Sequence, residues 1–112
     1  MNIDYLKNIL CSKGLKCDEY DIPDGKEYFF YIQSVNAYYF FFCKYNEVTD
    51  YIEYYPEYLN VYSVKSGNLS DLSFDTIEIN SNQFIESYQK NLKAMKLDEI
   101  NKKKLSIAGD FL

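Results

Sequence analysis

Residues 28–45, YFFYIQSVNAYYFFFCKY, constrain the fold more than any other stretch of this 112-residue chain. Residues 28–43 carry no charge and are mostly aromatic. A run so apolar has to fold early and be covered, because apolar surface is driven out of water. It is too short for a membrane helix, which takes about 20 apolar residues, and Gln33, Ser34 and Asn36 lie at its middle. Aromatic and β-branched residues favour strands, so the stretch predicts a central β-hairpin turning at residues 34–37.

Side chains alternate along a strand, so any even loop centred there gives the same partition. Ile32 then faces Tyr39, Phe30 faces Phe41 and Tyr28 faces Cys43. On the other side Tyr31 meets Phe40, Phe29 meets Phe42 and Glu27 meets Lys44, a cross-strand charge match. Upstream, Pro23-Asp24-Gly25 predicts a three-residue hairpin loop with a glycine bulge. It sets Tyr20 opposite Tyr28, Asp21 opposite Glu27 and Glu19 opposite Phe29. One face is then apolar: Tyr20, Ile22, Tyr28, Phe30, Ile32, Tyr39, Phe41 and Cys43. The other mixes Glu19, Asp21, Glu27 and Lys44 with Phe29, Tyr31, Tyr38, Phe40 and Phe42. Unpaired carboxylates do not enter a core. That second face is therefore partly wet, and a large wet aromatic area marks a binding or oligomer surface unless another segment covers it.

The rest of the chain supplies lids and further strands. Residues 2–13 read as an amphipathic helix with Asn2 as cap, Asp4 in its first turn and Gly14 as its stop. Residues 15–22 read as a strand. Residues 46–55 suit either a helix or a strand, and the spacing of Val48, Tyr51, Ile52 and Tyr55 leans towards a short helix or crossover. Strands are expected at 57–65 and 72–79 around a turn at 66–68. The clearest helix runs over 81–97, with a seam of Ile85, Tyr88, Leu92 and Met95 and Phe84 beside it. A short helix over 98–105 follows, its last turn carrying Lys102, Lys103 and Lys104, and the apolar tail ending in Phe111 and Leu112 docks. The expected fold is one α+β domain over 1–112. Its antiparallel sheet of four to five strands (hairpins 15–22/26–35/38–45 and 57–65/72–79) packs on an N-terminal and a C-terminal helix.

Catalytic equipment is missing from the sequence. There is no histidine, hence no imidazole base and no imidazole metal site. The four glycines stand apart, so no loop cradles a phosphate. Cys11, Cys17 and Cys43 have neither zinc nor disulfide-framework spacing and read as free thiols of a reducing compartment. The expectation is a non-enzyme with no cofactor and no metal. Residues 3–10 are interrupted by Asp4, Lys7 and Asn8, unlike a signal peptide, so a soluble cytoplasmic protein is expected. Twelve Lys with no Arg, and abundant Asn, Ile, Tyr and Phe, suggest the coding bias of a low-GC bacterium or its phages.

The charge of −5 is unevenly spread. Residues 18–57 hold nine carboxylates against Lys26 and Lys44, whereas residues 87–112 carry an excess of lysine. An acidic body argues against direct nucleic-acid binding and for a basic protein partner. The stretch most like a recognition site is residues 50–58, DYIEYYPEY, which interleaves Tyr51, Tyr54, Tyr55 and Tyr58 with Asp50, Glu53 and Glu57. Together with Glu19, Asp21, Glu27 and Tyr31 these are the expected partner-binding residues.

The functional expectation is a small acidic inhibitor that occludes a basic surface on a nuclease, a toxin or a nucleic-acid-guided effector. Phage anti-CRISPR proteins and bacterial toxin-immunity proteins share this general character, although no motif here belongs to a particular family. The alternative is an assembly module that homodimerises through the aromatic sheet face. An enzyme built on carboxylates and tyrosines would need a deep cleft.

Overall fold

The computed structural model describes residues 1–33, 39–58 and 60–110, with side chains described through Lys93 apart from Tyr39. The turn at residues 34–37, Tyr38, Leu59, the side chains of Met95 and the lysine triplet, and the tail residues Phe111 and Leu112 lie outside that description.

Helix α1 (Ile3–Ser12) opens where Asn2 Oδ1 accepts the backbone N–H of Tyr5 at 2.8 Å, and it buries Leu6, Ile9 and Leu10. Gly14, at φ 92°, stops it. Five strands follow: β1 (Lys16–Ile22), β2 (Gly25–Gln33), β3 (Tyr39–Asn46), β4 (Tyr51–Tyr54) and β5 (Lys65–Asn68). They form one antiparallel sheet in chain order. Helix α2 (Phe74–Asp110) closes the chain. The fold is α+β, as the sequence predicts, with both helices on one face of the sheet. Leu6 and Leu10 of α1 and Ile77 and Phe84 of α2 meet Phe30, Phe42 and Ile52 in a single core.

The second half of the sheet is built differently from expectation. Residues 46–55 are neither helix nor crossover. Asn46 Oδ1 accepts the backbone N–H groups of Val48 and Thr49, Asp50 takes φ 54°, and the chain turns straight back as β4. Ile52 and Tyr54 face the core while Tyr51 faces out, a strand's alternation. The strand expected over 57–65 is not formed: Asn60 caps a 3-10 turn (Val61–Ser63), leaving Tyr62 bare to water, and β5 takes up residues 66–68, expected as a turn. In place of a strand over 72–79, α2 begins at Phe74, because Ser73 Oγ accepts the N–H of Thr76 and so caps it. Helix α2 then runs unbroken through 81–97 and 98–105. Its packing centre is Phe84, with Ile85 and Tyr88 flanking.

Two local features re-sort the strands. The β1–β2 turn spends two residues rather than three, because Asp24 itself occupies the left-handed region at φ 69°. Ile22 therefore pairs with Gly25, Glu19 with Tyr28 and Tyr20 with Glu27, one place from the expected register. Such a slip exchanges the faces of β1. In β3 a bulge falls between two registers: Phe30 pairs with Cys43, but Tyr31 pairs with Phe41, leaving Phe42 unopposed. Phe42 and Phe40 thus join the core and Phe41 leaves it, the reverse of the expected partition.

Candidate functional site

The face of the sheet opposite the core presents an ordered set of rings and charges. Alternation places Asp18 and Tyr20 of β1, Glu27, Phe29 and Tyr31 of β2, Phe41 and Lys44 of β3, and Tyr51 and Glu53 of β4 on it. Tyr20 is 54% exposed and Phe41 50% exposed. The rings meet edge to face in series: Tyr20 with Phe29 at 5.3 Å, Phe29 with Phe41 at 5.6 Å, and Phe41 with Tyr31 at 6.0 Å. Such contacts suit the quadrupoles of aromatic rings and fix their positions. An open hollow of about 370 Å³ lies between Tyr20, Glu27, Phe29 and Phe41.

Polar groups frame the rings. The Tyr31 hydroxyl donates to Asp18 Oδ1 at 3.0 Å, and Tyr31 is only 6% exposed. Lys44 Nζ lies 3.2 Å from Glu27 Oε1 and 5.8 Å from the centre of the Phe29 ring. The expected Glu27–Lys44 charge match therefore exists as a diagonal contact, since Lys44 stands opposite Phe29 and Asn46 opposite Glu27.

Other expected binding residues are elsewhere. Glu19 is on the helix side, bonded to Lys7 of α1 and 3.4 Å from Lys26 Nζ. The Lys7 hydrogen bond holds its carboxyl below the usual carboxylate range. Asp21, opposite Lys26, shares that side. Asp50 braces the fold: its carboxylate accepts the Tyr45 hydroxyl at 2.9 Å and the Ser70 hydroxyl and N–H at 2.5 and 3.2 Å. Led by the Ser70 hydroxyl, these donors lower its pKa, while burial and then the Asp50 bond push Tyr45 up to about 12. Tyr54 and Tyr58, expected at the surface, are core residues. Tyr58 packs edge to face on Phe40 and Tyr88 at 4.9 and 5.3 Å. Tyr55 and Glu57 instead edge a groove of about 280 Å³ whose walls include Phe40, Phe41 and Tyr58.

Within residues 18–57 only Glu19 and Glu27 have an ion-pair partner among the described residues, while Asp18, Glu47 and Asp50 accept hydrogen bonds from neutral donors. Asp21, Asp24, Glu53 and Glu57 have no ion-pair partner among the described residues. Tyr20, Phe41 and Asp18 are the site residues that sequence reasoning missed, and a two-residue reading of Pro23-Asp24 would have found Asp18 and Tyr20.

Among the described residues no group of three or more Cys, Asp or Glu is placed to hold a metal ion, and no helix is long and apolar enough to cross a membrane. No family model matches the chain, and no curated protein or solved structure is significantly similar to it.

Proposed function

We propose that the chain is a small binding protein that blocks a basic surface of a partner protein by stoichiometric occlusion. The partner is a nuclease, a toxin or a nucleic-acid-guided defence effector, met in the bacterial cytoplasm. The mode of action is that of phage anti-CRISPR or toxin-immunity proteins. One observation carries this reading: the ring series Tyr20–Phe29–Phe41 stands on the sheet face opposite the core, with Tyr20 and Phe41 half exposed among the described residues. Rigid rings supply contact area at small entropic cost and are the residues that dominate interfaces. The net charge of −5 steers basic partners towards the chain.

The test is capture from a low-GC bacterial lysate on immobilised chain, with wild type beside a Tyr20→Ser/Phe41→Ser variant. A protein retained by wild type, released by salt and lost with the variant supports the reading. Equal retention by both, or a complex indifferent to salt, overturns it.

A second reading is a homodimer through the same face, favoured by the presence of both Glu27 and Lys44 beside the rings. A surface carrying both charges can complement its own copy across a two-fold axis. Sedimentation at micromolar concentration separates the readings: a dimer dissolved by Phe41→Ser supports this one, and a monomer excludes it.

A further inference from the structure

The groove at the far end of the sheet from the β1–β2 turn is distinct from the open ring series, and the two touch at Phe41. Its volume of about 280 Å³ lies at the lower edge of the roughly 300–1,000 Å³ typical of small-molecule and cofactor sites. It suits one side chain. The walls are aromatic, from Phe40, Phe41, Tyr55 and Tyr58, and Glu57 is the one charged residue lining it among the described residues. Edge-to-face packing of Phe40 on Tyr58, and of Tyr58 on Phe84 at 6.2 Å, holds these rings in place.

Glu57 is positioned but not neutralised. Asn60 Nδ2 donates to Glu57 Oε2 at 2.7 Å, while Asn60 Oδ1 accepts the N–H of Tyr62 at 3.1 Å. Asn60 is thereby anchored on the backbone and offers the carboxylate one neutral donor. No Lys among the described residues pairs with Glu57.

We infer that this groove receives an arginine side chain of the partner. Ring faces attract a cation through their quadrupole. A planar guanidinium stacks on aromatic faces and meets a carboxylate with two parallel donors, which a lysine ammonium does not do. The inference rests on the basic-partner reading and deepens it, because a partner lying over Phe41 passes the mouth of the groove.

The test uses the full chain and small probes, followed by NMR. N-acetyl-arginine methylamide is titrated beside its citrulline analogue, a neutral isostere, and beside the lysine analogue. The expected result is saturable shifts of the Tyr55, Tyr58 and Val61 signals with arginine, at least about fivefold weaker with citrulline and with lysine. Glu57→Gln, on an exposed residue, leaves the spectrum folded and weakens arginine by a similar factor. Citrulline or lysine equal to arginine, shifts absent from the groove, or Glu57→Gln without effect each overturns the assignment. Salt-sensitive capture that survives such a result removes the groove alone; its loss as well removes the docking reading beneath it.

Discussion

Phe42 and Cys43 are consecutive in β3, yet both side chains are fully buried. A regular strand sends neighbours to opposite faces; the bulge at Phe42 sends both inward, and Phe41 is left facing water. The open ring series and the groove both depend on that one unpaired residue.

The two phenylalanines should differ sharply in urea titrations. Phe42→Ala is expected to cost about 3–5 kcal/mol, as for other large-to-small changes in a packed core. Phe41→Ala should cost less than about 1 kcal/mol, because half of that ring is already in water. Equal losses would mean the bulge is misplaced.

Asp50 combines a left-handed backbone with three accepted hydrogen bonds. Asp50→Ala strains that conformation and strands the Tyr45 hydroxyl, for an expected loss of about 2–3 kcal/mol. Asp50→Asn tolerates the backbone and should cost less. Because the folded pKa of Asp50 lies below its unfolded value, its ionisation contributes stability above about pH 4. That contribution is lost as pH falls through the folded value. Unfolding measured against pH should therefore be flatter below about pH 4 in Asp50→Asn than in wild type.

Gly25 is needed for room rather than for a turn. A Cβ there would meet Val48 Cγ2 at 2.9 Å, and valine is stiff at χ1. Gly25→Ala should destabilise by about 1–3 kcal/mol. In a Val48→Ala background most of that loss should disappear, so a thermal double-mutant cycle reads the coupling directly.

The three thiols should react in sequence. Cys11 is exposed, Cys17 is half-buried with its pKa pushed up to about 11 by burial, and Cys43 is sealed in the core, where burial raises its pKa well above the usual thiol value. Since the thiolate is the nucleophile, native labelling at mildly alkaline pH should modify Cys11 quickly, Cys17 slowly and Cys43 only on unfolding. Mass spectrometry of the labelled peptides checks the order.

Much of the architecture could be read from residue patterns. The uncharged aromatic run is β2 and β3, and Asn2 and Gly14 bracket α1 as their chemistry requires. The start of α2 was hidden because two of its core positions are polar. Asn80 and Ser81 are buried but bond to the carbonyls of Thr76 and Glu78 in their own helix, so the apolar stripe from Ile77 to Phe84 looks broken. Strand β4 was hidden by chance helical spacing. The faces of the sheet were not legible, because they hang on the φ of Asp24 and on one bulge, choices set by tertiary packing. Of the acid–tyrosine stretch, Tyr51 and Glu57 are exposed and Glu53 and Tyr55 half-buried, whereas Tyr54 and Tyr58 fill the core beneath α2.

Whether Phe41 meets open water decides the docking role, and a soluble nitroxide reports it directly by broadening the NMR signals of accessible rings. Strong broadening of Tyr20 and Phe41 is predicted, with Phe42 and Phe84 left sharp. A sharp Phe41 beside a broadened Phe42 would contradict both the sorting of the sheet and the surface built on it.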